Sequence, residues 1–305
     1  MLINTAMRSL IVLFFLELMV LVPTQLKAQN PELNGSAAIF QQLQKLQVLG
    51  SVLYIAAHPD DENNSLLPYL AREKKYRTAY LSLTRGDGGQ NLIGPEQGVE
   101  LGLIRTQELL AARQIDGAEQ YFTSAYEFGF SKTANETLQY WDRKKVLADM
   151  VWVIRKFQPD IIVNRFPPDS RAGHGHHASS AVLSIEAFTA AADPNQFPEQ
   201  LKQGVSIWQA KRLLWNTFNF GGANTTSENQ LKIDAGVFNP LLGQSYGEVG
   251  GEARSMHKSQ GEGRPRRKGP VFEYFTTIAG DTAKISLMDG VTTDWSRIPF
   301  SGKAI

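Results

Sequence analysis

Four of the five histidines fall in two short stretches. One is His58-Pro59-Asp60-Asp61-Glu62; the other is Gly173-His174-Gly175-His176-His177. Neutral imidazoles and carboxylates are ligands for zinc, and a set of three leaves a position open for water. His58 and Asp61 offer one nitrogen and one carboxylate, with Pro59 stiffening the turn between them. One imidazole from the second stretch would complete a two-His, one-carboxylate set, which suits Zn2+ first and Fe2+ second. Zinc lowers the pKa of a coordinated water to about 7, and Asp60, on the same turn, then has a natural use as general base. The chain has no cysteine, which excludes disulfides, thiolate ligands and a thiol nucleophile.

A structural reading competes. Asp60, Asp61 and Glu62 would also serve as the cap and first turn of a following helix, where carboxylates offset the dipole. That accounts for Asp61 and Glu62 but not for a second histidine stretch.

The pattern around the two stretches predicts what positions them. Val52–Ala57 is a near-continuous apolar run, as expected of a strand buried on both faces, and His58 follows it directly. Asp160–Phe166 reads as another such strand, and the loop after it leads to His174. Thr78–Leu83 reads as a strand ending in the glycine-rich Thr84–Asn91, TRGDGGQN. In an open parallel sheet, ligands bind outside the carboxyl ends of the strands, so all three loops are expected on one edge. Arg85 and Asp87 in the third loop suit sugar hydroxyls; equally, the glycines serve a plain turn. The G-x-G-x-x-G dinucleotide spacing is missing.

Helices are expected over Ala37–Val48, Ser65–Lys74, Val99–Gln114, Leu138–Phe157 and Ser179–Ala192, with a short strand at Gln120–Thr123. Strand–helix alternation implies right-handed βαβ units and a mostly parallel sheet with helices on both faces. Beyond about Gln203 the pattern turns β-richer, with strand-like runs at Trp208, Leu213–Trp215, Phe218–Phe220, Leu231–Val237, Val271–Thr277 and Lys284–Met288. Gly243–Gly269 reads as loop, with a basic run at Arg264–Lys268. His257 lacks a partner in sequence and reads as structural.

The charges nearly cancel, 31 Lys+Arg against 30 Asp+Glu, which argues against a nucleic-acid or membrane-surface binder. Arg8, the apolar run Leu10–Val22 and Leu26-Lys27-Ala28 before Gln29 fit an export signal over residues 1–28. The run is short for a span and carries Glu17, so an uncleaved anchor is the lesser expectation. A helical lead-in over 29–48 and one domain over 49–300 follow, with a core at about 50–200 and a β-rich extension at about 203–300.

AAHPDDE after an apolar strand, followed later by a glycine-rich loop ending in HxxH, resembles the PIG-L/LmbE-like family of zinc-dependent de-N-acetylases. The resemblance covers roughly Gly50 to Ala192. It implies an α/β, Rossmann-like fold. It also implies metal ligation by His58, Asp61 and His177, with Asp60 as general base. His174 matches the residue that stabilises the tetrahedral intermediate and protonates the leaving amine. Arg105, in GLIRTQEL, matches an arginine that binds sugar hydroxyls or a nearby phosphate; its structural alternative is a surface pair with Glu108. Two positions depart from the family pattern. His176 stands where some members have an Asp that orients the other histidine, and Ala172 stands where they have a Tyr that helps bind the carbonyl oxygen. Arg171 or His176 is expected to replace that donor.

The expected function is therefore an exported, zinc-dependent amidohydrolase that removes acetyl from an N-acetylglucosamine-type amino sugar, small molecule or glycan. An amidase acting on another amide-linked conjugate, and an exported carbohydrate-binding protein without turnover, are the alternatives. Retention of Asp60 speaks against the last, since a binding protein has no use for a base beside the metal.

Overall fold

The computed structural model describes residues 35–220, 222–261 and 263–299. The export signal expected over residues 1–28 lies outside them. The chain divides into residues 1–43 and 44–305. Helix α1 (Ser36–Lys45) begins in the first part; everything below concerns the second.

Six buried residues, Ser51–Ala56, form β1. Their alternation splits the core in two. Val52, Tyr54 and Ala56 meet Leu66, Leu70, Leu109 and Tyr246 on one face. Leu53 and Ile55 meet Val151, Ile154 and Leu183 on the other. The remaining parallel strands are β2 (Arg77–Ser82), β3 (Glu119–Phe122), β4 (Ile161–Asn164) and β5 (Arg212–Thr217). Short pairs follow: β6 (Asn219–Phe220) with β7 (Ala223–Asn224), and β9 (Phe238–Asn239) with β10 (Gln244–Ser245). Between and after them run β8 (Leu231–Asp234) and β11 (Phe272–Gly280). The main sheet has seven strands in the order β3-β2-β1-β4-β5-β11-β8. Its first five strands are parallel, and β11 and β8 join antiparallel. The β-richer extension thus continues one sheet.

Helices cover both faces. On the first lie α2 (Leu66–Pro68, continued by a π-helical turn over Tyr69–Glu73) and α3 (Val99–Asp116). The second carries α5 (Arg143–Phe157) and α6 (Gly175–Ala190), with α4 (Ala134–Tyr140) before α5 and α7 (Pro198–Leu201) after α6. Helix α8 (Tyr246–Arg254) returns to the first face, where Tyr246 and Val249 join the core. The chain runs from β1 outward to β2 and β3, then returns to place β4 on the other side of β1. Strand order reverses there, and a crevice opens outside the carboxyl ends of β1 and β4. The register pairs Ile55 with Asn164, so the segments after both strands leave from the same edge.

Four expectations need correction. The single helix over Leu138–Phe157 is two, because Asp142 caps α5 by accepting from Lys145 N–H (3.1 Å) while Trp141 is extended. The loop expected over Gly243–Gly269 contains α8, whose Ser245 and Glu248 form a capping box. Lys284–Met288 is a turn, its Lys284, Ile285 and Ser286 amides all donating to the Asp289 carboxylate. Trp208 lies outside any strand and donates through its indole to Pro159 O (2.6 Å).

Candidate active site

At the end of β1, the His58 amide donates to Asp61 Oδ2 (2.7 Å), closing the turn so that the carboxylate also stands 3.1 Å from the ring Nδ1. His177, in the first turn of α6, comes from the β4 side. Its Nδ1 lies 3.0 Å from Ala172 O, and its ring stacks on Phe166 at 3.8 Å and 3°. Donation to that carbonyl puts the proton on Nδ1 and leaves Nε2 with a lone pair. Nε2 is 3.2 Å from His58 Nδ1 and 3.4 Å from Asp61 Oδ1.

Glu127, between β3 and α4, completes the arrangement. Its Oε2 is 2.9 Å from His58 Nε2, and its Oε1 is 3.2 Å from His176 Nδ1. With the Nε2 proton given to Glu127, His58 Nδ1 is bare. Three acceptor groups then face one another: His58 Nδ1 is 3.2 Å from His177 Nε2 and 3.1 Å from Asp61 Oδ2, and His177 Nε2 is 3.4 Å from Asp61 Oδ1. Such a trio needs a positive charge between its members. A proton is one solution: burial opposes a charged His58, but Glu127 and Asp61 outweigh it and push the pKa up to about 10. Burial likewise works against the charge on Asp61, yet His177 and His58 hold its carboxyl well below the usual range. A divalent ion is the other solution. Ligand atoms on a tetrahedral ion with bonds of 2.0–2.1 Å are roughly 3.3 Å apart, which is the spacing found here. The residues present fit the ion.

A second set, His58, Glu127, His174 and His176, also gathers within reach of one centre. The Nδ1 atoms of its His174 and His176 are engaged. His174 caps α6, its Nδ1 accepting from His176 N–H (3.0 Å), and His176 Nδ1 faces Glu127. The His176 ring is fully buried against Phe128 and Trp141, and its Nε2 has no partner among the described residues. With Nδ1 accepting, neutral His174 carries its proton on Nε2. Burial and the neighbouring His58, His177 and His176 lower its pKa to about 3, so it stays neutral and can donate. It lines a cleft of about 200 Å³ with Asp169 and Gly173.

Asp60 sits on the same turn with φ of 97°. A non-glycine residue held there stores backbone strain of about 1–3 kcal/mol. Arg105 Nη2 donates to its Oδ1 (2.8 Å), and Arg254 Nη2 stands 3.1 Å from its Oδ2. Burial raises the Asp60 pKa, and the two arginines pull against it without prevailing. Arg105 is 3% exposed and also donates to Pro59 O and Gly86 O, so it holds the turn from below and makes no surface pair. Glu108 instead accepts from Ser259 N–H and Oγ. A Cβ on Gly86 would stand 2.4 Å from Arg105 Nη1, and one on Gly88 2.4 Å from Glu127 O. The glycine-rich loop therefore packs around the groups that build the site.

The other sequence-predicted residues lie as follows. Arg85 bonds Thr106 Oγ1 and covers the Phe122 ring. Asp87 accepts from Glu127 N–H (3.2 Å), supporting that residue. Arg171 is exposed and holds Asp169 through two nitrogens, with its guanidinium over Trp215. The structure thus gathers His58, Asp61, His174, His176 and His177, with Asp60 on the same turn as His58 and Asp61, and leaves Arg85 and Arg171 engaged elsewhere. His257 is buried and 2.8 Å from Glu62 Oε1, which Arg113 also approaches (3.1 Å). Glu127 and Arg254 escaped sequence reasoning. The signal for Glu127 was a lone carboxylate in the aromatic run Tyr126-Glu127-Phe128-Gly129-Phe130; Arg254 gave none.

Residues 53–188 match the family profile PIG-L, described as GlcNAc-PI de-N-acetylase. These residues are a PIG-L family domain. The PIG-L domain holds every residue of the histidine cluster. A Frankia casuarinae relative, 1D-myo-inositol 2-acetamido-2-deoxy-alpha-D-glucopyranoside deacetylase 2, is 31% identical over 183 residues, covering 52% of this chain and 55% of its own. Diacetylchitobiose deacetylase of Thermococcus kodakarensis is 32% identical over 146 residues, covering 47% of this chain and 51% of its own. The chain thus spans about half the length of these curated relatives. Among solved structures, N,N'-diacetylchitobiose deacetylase from Pyrococcus horikoshii superposes with a TM-score of 0.51 at 20% identity, covering 70% of this chain and 71% of that one. That likeness concerns the fold of the PIG-L domain and its flanks.

Proposed function

We propose that the protein is a metal-dependent de-N-acetylase acting on an N-acetylglucosamine-type sugar. The observation that carries this reading is the convergence of His58 Nδ1, His177 Nε2 and Asp61 at 3.1–3.4 Å, with Glu127 on the far nitrogen of His58. His58, Asp61 and His177 would hold the ion, Zn2+ before Fe2+. When bound, the ion supplies a Lewis acid that makes water acidic near pH 7 and polarises a carbonyl. The names of the two curated relatives, both deacetylases of acetamido sugars, support the substrate class.

The side chains divide the remaining work. Asp60 accepts the proton of the attacking water; its raised pKa brings it towards the operating pH, where a general base is most effective. His174 donates from Nε2 to the oxygen that becomes negative as water adds, a contact of a kind worth about 2.7–4 kcal/mol. The nitrogen takes up the proton that Asp60 accepted and leaves as the free amine, and acetate forms. In this reading His176 and Arg171 are not the replacement donors, the first being buried and the second bound to Asp169. With the export signal read over residues 1–28, the reaction would take place outside the cytoplasm.

Acetate release from N,N'-diacetylchitobiose, with and without a chelator, tests the reading. Release by wild type, its loss with chelator and its loss in Asp60→Asn with the metal retained are expected. Release unaffected by chelator would remove the ion, and equal release by Asp60→Asn would remove the base.

A further inference from the structure

A cleft of about 820 Å³ adjoins the histidine cluster. It is joined to the cluster on two sides. Arg254 in its wall reaches Asp60, and Phe218 in its wall stands 6.2 Å from Phe166, the ring that stacks on His177. The volume suits a sugar larger than the single residue being deacetylated.

The basic run Arg264–Lys268 forms part of the wall and divides its charges. Arg266 pairs with Glu252 (2.6 Å) and Lys268 reaches Glu248 (3.8 Å), both acids on α8. Arg264 and Arg267 line the cleft, and neither has an acidic partner within ion-pair distance among the described residues. Arg254 Nη2 faces Asp60, while its Nη1 is buried without a partner among the described residues. The run is seated firmly: a Cβ on Gly247 of α8 would stand 2.7 Å from Arg267 O, and one on Gly251 2.8 Å from Pro265 O. The two carboxylates in the wall are already served. Glu62 is buried with Arg113 and His257, and Glu273 accepts from Asn216.

Guanidinium groups left without a counter-charge in a concave wall match carboxylate and phosphate oxygens. We propose that this cleft is a subsite for an anionic group, a carboxylate or phosphate ester borne by the saccharide alongside its acetamido residue. The proposal rests on the de-N-acetylase reading for the identity of the saccharide, but the binding of charge in the cleft does not depend on turnover.

Calorimetry at low and high salt tests it on the metal-loaded protein. The probes are a glucuronate–N-acetylglucosamine disaccharide, N-acetylglucosamine 6-phosphate and neutral N,N'-diacetylchitobiose. At least one anionic probe is expected to bind tenfold or more tighter than the neutral one at low salt, and the preferred probe identifies the acid. The preference is expected to shrink with salt, vanish in Arg264→Ala/Arg267→Ala and reverse in Arg264→Glu/Arg267→Glu. Unchanged metal content and melting temperature show that the variants are folded. Equal binding of charged and neutral probes by wild type, or a preference that survives both double variants, overturns the proposal. Acetate release without charge preference would sink the subsite alone, whereas charge-dependent binding without acetate release would sink only the reaction.

Discussion

Glu127 Oε2 lies 2.9 Å from His58 Nε2, on the opposite side of the ring from Asp61 and His177. That contact decides which nitrogen of His58 is bare, as outer carboxylates do for metal-binding histidines. Glu127→Ala is therefore expected to weaken zinc binding about 10–100-fold. Glu127→Gln, which keeps one acceptor, should recover part of it. Competition with a chromophoric chelator measures both. Asp61→Asn should do worse than either; if Glu127→Ala binds zinc as wild type does, the contact has no such role.

Asp60 and Arg105 form the next test. Arg105 pulls the Asp60 pKa down against the burial that raises it. Removing the guanidinium in Arg105→Met lets that pKa rise further. A base works only when deprotonated, so the acidic limb of kcat/KM against pH should move to higher pH. A limb that stays in place would mean that Asp60 does not set it.

Glu62 links the same turn to acid stability. Burial opposes its charge, but His257 and Arg113 outweigh burial and hold its carboxyl far below the ordinary value of 4.5. A depressed carboxylate contributes stability that is complete above its unfolded pKa and is lost as pH falls through the folded one. The melting-temperature advantage of wild type over Glu62→Gln should thus be greatest above about pH 5 and shrink on acidification. An advantage that grew towards acid would contradict the assignment.

Arg155 makes a purely structural prediction. Fully buried on α5, it donates to the carbonyls of Ala190, Ala191, Asp193, Gln196 and Phe197 and to Gln200 Oε1. It serves the open carbonyl end of α6 and the loop after it. Arg155→Ala leaves several of these acceptors buried and unserved, at about 1–3 kcal/mol each. Thermal unfolding should show a fall in Tm on the order of 10 °C, with zinc affinity unchanged.

The parallel strands were legible because strands buried on both faces are written as unbroken apolar runs; Val52–Ala57 needed a shift of one residue to Ser51–Ala56, and Asp160–Phe166 needed trimming to Ile161–Asn164. The histidine-bearing loops followed from the rule that ligands gather at strand ends. Glu127 was not legible: it comes from an irregular segment with no period of its own, and its partners lie 69 and 49 residues away in sequence. Helix α8 could have been found from Ser245 and Glu248, since a serine three residues before a glutamate is the signature of a capping box. The pairing of Arg254 with Asp60 could not, because it depends on how α8 crosses the β1 face.

The pairing of β1 with β4 joins positions 52 and 161, more than a hundred residues apart. A chelate drawn from the ends of both strands has no counterpart in the unfolded chain. If the proposed ion is held there, its affinity would report chain assembly: an ion captured during refolding would be taken up only after the middle of the sheet has zipped, and would lock that long loop shut.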